Sequence, residues 1–144
     1  MKIVDANLLL YAFDSESPSH TKAKTWLERI YRDDDLVGLP RHVLLAFIRI
    51  STNPRIMKTP AKPEAALAIV ESLISHPKTL LVECGPNHWP LFRSLVIRAG
   101  VSGPSISDAF LATLAIEHGA TLCSCDEGFR RYADLSFENP ILRS

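Results

Sequence analysis

The chain has 144 residues, of which 47% are apolar and 22% are charged. This length and composition predict one globular domain over residues 1–144 that is long enough to bury a core. The formal net charge is zero, from 16 basic and 16 acidic residues. A positive field of the whole protein therefore cannot explain binding to nucleic acid, and any such attraction needs a local basic patch.

No secretory signal is evident, and the longest apolar run near the N-terminus, residues 8–13, is too short to span a membrane. The three cysteines, Cys84, Cys123 and Cys125, are an odd number, which favours reduced thiols over a disulfide framework or a zinc site. We therefore expect a cytoplasmic protein that does not bind membranes.

The first half of the chain predicts two strands, each followed by helices. In chain order we expect a strand at 2–5, a helix at 7–13, a helix at 16–32, a strand at 36–39 and a helix from Pro40 through residue 52. Ser17 and Pro18 are the expected N-cap and first residue of the second helix. A loop that contains three prolines follows at 53–63.

The second half continues the alternation. We expect a helix at 64–75, a strand at 79–83, a helix at 87–100 ended by Gly100, a loop at 101–107, a helix at 108–119, a strand at 120–125, one or two helical turns at 127–132 and an edge strand at 135–139. Short apolar strands that alternate with helices predict an α/β fold. The expected architecture is a three-layer α/β/α sandwich with a central, mainly parallel sheet of four to five strands.

Three aspartates occupy similar places in this pattern. Asp5 ends the first strand, Asp126 follows the "ATLCSC" strand, and Asp108 opens the helix before that strand. In an open α/β sheet, ligands bind at the carboxyl ends of the strands. The three acids are therefore expected to converge, although they are far apart in sequence.

Each acid also has a simpler explanation as a helix cap. Asp5 can cap the helix near Asn7, Asp126 can cap the turn that follows it, and Ser105 with Asp108 fits a capping box. Three caps, however, do not require three aspartates at one edge, whereas a Mg²⁺ site does. Ligation by oxygen alone indicates Mg²⁺ or Mn²⁺ rather than zinc.

Several segments resemble one known family. "VDANLLLYA", "ISDAFLATLAIEHGATLCSCDEGFRRY" and "LSFENP" resemble the PIN-domain ribonucleases, in particular the VapC toxins of bacterial toxin–antitoxin pairs. "GLPRHVLLAFIRISTNPRI" is similar to a VapC subgroup. The likeness covers nearly the whole chain, and its motifs are specific in their combination and order.

This resemblance implies a single PIN-like domain with Mg²⁺-dependent endoribonuclease activity, in which Mn²⁺ can substitute. It implies that Asp5, Asp108 and Asp126 are the catalytic, metal-binding acids, and it places Asn7 in the family's D-x-N opening. The implied partners are a cognate VapB-type antitoxin, transfer or ribosomal RNA as substrate, and a second toxin subunit in a homodimer. The implied products carry 5′-phosphate and 3′-hydroxyl ends.

The chain departs from the family pattern at two positions. Most PIN nucleases have a glutamate on the helix after the second strand, where this chain has Ala46. The family often places another acid two residues beyond the last aspartate, where this chain has Gly128. Glu127, waters or a substrate phosphate would have to complete the ligand shell, which favours one metal ion over two.

A local basic segment is the predicted RNA-binding face. Residues 36–63 contain no acid, and basic side chains in this segment can contact phosphates. The expected RNA-binding side chains are Asn7 near the N-terminus and, within the segment, Arg41, Arg49, Thr52, Asn53 and Arg55. The alternative is a solvated basic face in which Asn-Pro at 53–54 is only a turn signal. Arg130 and Arg131 follow the Asp126 turn and are expected to contact either RNA or the antitoxin.

Two further functions remain open. One is a non-catalytic PIN-like module that binds RNA or protein, which the missing glutamate at Ala46 favours. The other is a phosphatase of the haloacid-dehalogenase type, which also begins with an acid after its first strand. That chemistry needs a second aspartate two residues later, and the residue there is Asn7.

Overall fold

A computed structural model describes residues 1–33 and 36–142. Its centre is one sheet of five short strands in the order β3-β2-β1-β4-β5, with every pairing parallel. The strands are β1 (Lys2–Val4), β2 (Val37–Pro40), β3 (Thr79–Val82), β4 (Thr121–Cys123) and β5 (Ser136–Glu138). The predicted edge strand near residue 136 is therefore confirmed.

Helices flank the sheet and complete the three-layer α/β/α sandwich that the alternating pattern predicts. They are α1 (Ala6–Phe13), α2 (His20–Asp33), α3 (Arg41–Ser51), α4 (Pro63–Ser75), α5 (His88–Ala99) and α6 (Ser105–Glu117), and a 3-10 helix spans Glu127–Arg131. The central strands are apolar because both faces are covered. Ile3 and Val4 of β1 are fully buried, as are Val37 and Leu39 of β2.

Helix α2 begins four residues later than the prediction of a helix at 16–32. Ser17 is not its N-cap, because α2 begins only at His20. The Ser17 hydroxyl accepts a hydrogen bond from the Ser19 backbone N–H at 3.2 Å, before the helix starts. One turn earlier, the Asp14 carboxylate accepts from the Glu16 N–H at 3.0 Å. These side chains form local turns that compete with the first turn of a helix.

Helix α6 begins earlier than predicted, at Ser105 rather than Asp108. The capping box expected from Ser105 and Asp108 is wrong. Pro104 is the N-cap, no side chain makes a capping hydrogen bond, and Ser105 is itself helical. Asp108 therefore lies in the first turn of α6 without a capping role.

The parallel register brings the ends of the strands to a common edge. Val4 is level with Cys123, Cys123 with Glu138, and Pro40 with Val82. We call this side of the sheet the carboxyl edge. The residues that follow the strands there are Asp5, Arg41, Glu83, Ser124 and Asn139. Within residues 1–33 and 36–142, no helix is both long enough and apolar enough to span a bilayer.

Gly38 in β2 packs where a side chain does not fit. An added Cβ would lie 2.8 Å from Cγ1 of Ile3 and 2.9 Å from Cγ2 of Val82. We expect Gly38→Ala to lower the free energy of unfolding by about 1–3 kcal/mol, because the neighbouring strands must shift. Urea denaturation measures the difference, and an unchanged midpoint would contradict the packing described here.

Candidate active site

Asp5 lies between two apolar segments, directly after β1. One carboxylate oxygen accepts the Ala6 N–H at 2.7 Å, and the other accepts the Ser124 hydroxyl at 2.7 Å. The capping interpretation of Asp5 is therefore confirmed, but the cap uses only one of its two oxygens. Burial raises the pKa of Asp5, and the nearby Asp126 charge adds to this, while the hydrogen bonds from Ser124 and Ala6 act in the opposite direction.

Ser124 is the centre of the hydrogen bonds around Asp5. Its fully buried hydroxyl donates to Asp5 and accepts from the side-chain amide of Asn7 at 3.0 Å and from the Asp126 N–H at 3.1 Å. One serine thus sets the positions of two of the three candidate acids. The sequence reasoning did not select Ser124, although its place between the end of β4 and Asp126 was a usable signal.

Asn7 was predicted to bind RNA, and the structure gives its side chain another position. Its amide donates to Ser124, and its carbonyl oxygen accepts the Cys125 N–H at 3.2 Å. Both ends of the side chain therefore hold α1 against the turn after β4. This arrangement favours a positioning role for Asn7 over direct contact with RNA.

Asp126 begins the 3-10 helix and accepts the Gly128 N–H at 2.8 Å. The capping interpretation is confirmed for this residue as well. Glu127, the expected substitute ligand, makes hydrogen bonds with Arg130 at 3.0 Å and Asn139 at 3.2 Å. These two hydrogen bonds lower the pKa of Glu127, so its carboxylate is engaged with them instead of with the three aspartates.

Asp108 completes the group from the first turn of α6. Burial raises its pKa first, the charges of Asp126 and Asp5 raise it further, and Arg131 lowers it. The three aspartates therefore share one electronegative region at the carboxyl edge. In residues 1–33 and 36–142, however, no three His, Cys, Asp or Glu side chains are already arranged as the ligands of one metal ion.

Two residues beside this region were not selected from the sequence as parts of the site. Tyr132 is buried, and its hydroxyl has no hydrogen-bond partner among the described residues. Burial raises the pKa of Tyr132, and Asp108 and Asp126 add to this effect against Arg131. Asn139, which follows β5, donates to the Cys125 carbonyl at 3.3 Å and so joins the last strand to the site.

The residues expected to bind RNA are separated along α3. Arg41 lies at the carboxyl edge and forms an exposed ion pair with Glu83 at 2.7 Å. Arg49, Thr52 and Asn53 lie at the other end of the helix, about 15 Å away at 1.5 Å per residue. The basic segment therefore extends away from the three acids.

Local hydrogen bonds engage two of these side chains. The Thr52 hydroxyl donates to the Ile48 carbonyl at 2.7 Å, and the Asn53 side chain accepts the Arg55 N–H at 2.9 Å. The turn interpretation of Asn53 is confirmed in this respect. Arg49 and Arg55 are exposed, and their contact with RNA stays a prediction.

Comparison with known proteins decides the family. A family model described as PIN domain matches residues 2–135. Ribonuclease VapC43 of Mycobacterium tuberculosis is 38% identical over 141 residues, which cover 98% of this chain and 96% of that protein. The chain belongs to the VapC ribonucleases of the PIN-domain family. Ribonuclease VapC31 of the same organism is 36% identical over 142 residues, covering 99% of this chain and all of that protein.

Solved structures support the fold of this VapC protein. The structure of VapBC2 from Rickettsia felis, bound to a DNA fragment from their promoter, contains a chain with a TM-score of 0.71. The match covers 96% of this chain and 97% of that one, at 18% identity. At this identity, the likeness bears on architecture alone, and it agrees with the parallel sheet described above.

The two departures from the VapC pattern have structural consequences. Ala46 is half-buried on α3 and packs against the core. Its side chain is a methyl group and therefore offers no ligand atom. At Gly128, an added Cβ would lie 2.9 Å from an oxygen of Asp126 and 3.2 Å from a guanidinium nitrogen of Arg131. The site of this protein therefore has three clear acids.

The donor set at the carboxyl edge still suits Mg²⁺ in its chemistry. The groups available from Asp5, Asp108 and Asp126 are carboxylate oxygens, which Mg²⁺ prefers together with several waters. Burial and mutual repulsion raise the pKa of Asp5 and of Asp108, and a divalent cation would relieve both costs.

The raised pKa of Asp5 makes stability depend on pH in a defined direction. Between the ordinary and the raised pKa, the folded state binds more protons than the unfolded state, so stability falls as pH rises through this window. Asp5→Asn removes the charge at nearly constant volume. In EDTA we expect this variant to melt at a higher temperature than the parent protein at pH 7.5, with a smaller difference at pH 4.

Asp134→Asn is the matched control, because Asp134 is exposed and forms a surface ion pair with Arg98. We expect a change of less than about 1 kcal/mol in its stability at either pH. Equal thermal shifts for the two variants would contradict the electrostatic cost assigned to Asp5.

Proposed function

We propose that this protein is a metal-dependent endoribonuclease that acts as the toxin of a VapB–VapC pair. The observation that supports the proposal is the placement of Asp5 and Asp126 around the Ser124 hydroxyl, with Asp108 near enough for their charges to add to the effect of burial on its pKa. Clustered carboxylates with raised pKa are typical of functional sites, because their mutual repulsion destabilises the folded state. The names of VapC43 and VapC31 as ribonucleases support the same activity.

In this proposal Asp5, Asp108 and Asp126 hold Mg²⁺, and Mn²⁺ can replace it. When bound, such an ion lowers the pKa of a water molecule and neutralises charge on a phosphodiester. The presence of three acids favours one ion over two. The ligand shell would be completed by water and by the substrate phosphate.

The chain's own residues position these groups. Ser124 holds one oxygen of Asp5, and Asn7 holds Ser124, so the carboxylate is oriented before RNA binds. The attacking water releases a proton to solvent, and the leaving 3′ oxygen takes up a proton. As water attacks phosphorus in line, the bond to the 3′ oxygen breaks, which leaves 5′-phosphate and 3′-hydroxyl ends.

The proposed partners follow from the same family. A cognate VapB-type antitoxin would lay an amphipathic segment across the carboxyl edge and insert a basic side chain among the carboxylates. The solved VapBC2 complex of Rickettsia felis supports a partner of this type. We also propose a toxin homodimer within the complex, with transfer or ribosomal RNA as the substrate.

Replacing a candidate acid should abolish cleavage without unfolding the protein. We expect Asp5→Asn and Asp108→Asn to reduce RNA cleavage by about 100-fold or more, since each removes a ligand of the proposed ion. EDTA should have the same effect on the parent protein, and excess Mg²⁺ should restore activity. Cleavage of total cellular RNA, followed by sequencing of 5′ ends, measures the rate and identifies the target.

Asp134→Asn serves as the control for a loss of charge outside the site, and its cleavage rate should match that of the parent protein. The acid assignment would be wrong if Asp5→Asn cleaved RNA with Mg²⁺ at the parental rate. Circular dichroism of each variant separates loss of activity from loss of fold.

The antitoxin proposal has its own test. The chain should co-purify with the product of the neighbouring reading frame when both are expressed, and that product should suppress RNA cleavage and restore growth. If the chain is expressed alone without harm and binds no such product, the toxin assignment fails while ribonuclease activity can still stand.

Two observations support a second function. Ala46 provides no ligand, and no three-ligand group is preformed in the described residues. Both favour a PIN-like module that binds RNA or protein without cleaving RNA. Calorimetric titration distinguishes the two functions. Absence of Mg²⁺ and Mn²⁺ binding at millimolar concentration, together with no cleavage of total RNA, would favour the module.

A further inference from the structure

Gly128 lets Asp126 and Arg131 approach its backbone more closely than a side chain at this position would allow. The point where a Cβ of residue 128 would lie is 2.9 Å from Oδ1 of Asp126 and 3.2 Å from Nη2 of Arg131. A candidate catalytic carboxylate and a guanidinium therefore both pack against Gly128. In this chain, a cation therefore lies close to Asp126.

Arg131 is held at one end and available at the other. Its Nε donates to the Gly128 carbonyl at 2.9 Å, which fixes the plane of the guanidinium. The residue is exposed, and none of the ion pairs between described residues includes it. Its charge nevertheless lowers the pKa of Asp108, so it lies within electrostatic range of the acids without neutralising them by direct contact.

Arg130, the neighbouring arginine, is already paired with a carboxylate. The Nε of Arg130 pairs with the Glu127 carboxylate at 3.0 Å, and its guanidinium lies over the Phe137 ring at 5.0 Å from the centroid. Arg41, the other arginine at the carboxyl edge, pairs with Glu83. Of these three arginines, Arg131 is the one whose charge is not already paired with a carboxylate.

We propose that Arg131 binds a non-bridging oxygen of the RNA phosphodiester at the site of Asp5, Asp108 and Asp126. This inference rests on the proposed ribonuclease function and names a further substrate-binding residue for it. Three carboxylates repel a polyanion, and a guanidinium at the same edge offsets that repulsion where the phosphate must approach. The planar guanidinium also orients a phosphate through two parallel N–H donors, which lysine cannot do.

Binding measured without cleavage tests this directly. The probe is a 5′-fluorescein-labelled single-stranded RNA 20-mer of mixed sequence, in EDTA, with affinity followed by fluorescence anisotropy over a range of salt concentrations. We expect Arg131→Gln to weaken binding by about 10- to 100-fold, as for a lost charge-assisted hydrogen bond. The slope of log affinity against log salt should decrease by about one.

Arg130→Gln is the matched control, because it removes the same charge one residue away. We expect its affinity to change by less than about 3-fold, since its guanidinium is already paired with Glu127. Equal losses for the two variants, unchanged binding by Arg131→Gln, or no RNA binding by the parent protein would each overturn the proposal.

Two further variants separate phosphate binding from general effects on the fold. Arg131→Lys keeps the charge and should recover part of the affinity, with a raised KM for cleavage. Gly128→Glu places a carboxylate beside Arg131 and should weaken RNA binding more than Gly128→Gln does, although both add the same bulk. Equal binding by the glutamate and glutamine variants would contradict the proposal.

The failure of this inference can be distinguished from the failure of the proposed function. If the parent protein binds the RNA probe but cleaves no RNA with Mg²⁺, the ribonuclease proposal fails, and the comparison of Arg131→Gln with Arg130→Gln still decides the phosphate contact. If the parent protein cleaves RNA and both arginine variants behave alike, the ribonuclease function stands and the Arg131 inference fails.

Discussion

The hydrogen bond from the Ser124 hydroxyl to the Asp5 carboxylate joins residues that are 119 positions apart in the chain. It exists because β1 and β4 are neighbours in a parallel sheet with Val4 level with Cys123. The next residues of both strands then leave the ladder at the same level. Without this register, Asp5 would be a charge between two apolar segments with only the Ala6 N–H to compensate it, which is a costly arrangement.

The rest of the candidate site is built around that bond. Ser124 also accepts hydrogen bonds from Asn7 and from the backbone of Asp126, so α1, β4 and the 3-10 helix are fixed to one hydroxyl group. Burial raises the pKa of Asp5 and of Asp108, and the charges of the neighbouring acids raise both pKa values further. The like charges held together at this edge destabilise the folded state by their repulsion. A bound cation, or a phosphate that brings its counter-ion, would reduce this repulsion.

Positive charge is distributed unevenly around these acids. Arg41 and Arg130 are engaged by Glu83 and Glu127, whereas Arg131 faces the acids without direct pairing. A net charge of zero for the whole chain therefore conceals a local arrangement in which one arginine differs from its neighbours. The basic residues at the far end of α3 form a separate surface, because the helix carries them away from the carboxyl edge.

The sequence by itself determined the order of strands and helices, the parallel α/β architecture and the three aspartates, because apolar periodicity and residues at strand ends are local signals. It also identified the family through its motifs. Helix starts were less predictable: the turns made by Asp14 and Ser17 delay α2, and α6 begins at Ser105 without the expected capping box. Only the tertiary structure decided the hydrogen-bond partners of Ser124, Asn7 and Arg131. Their partners come from distant strands or from the fold of one turn, and such contacts have no periodic signature in the sequence.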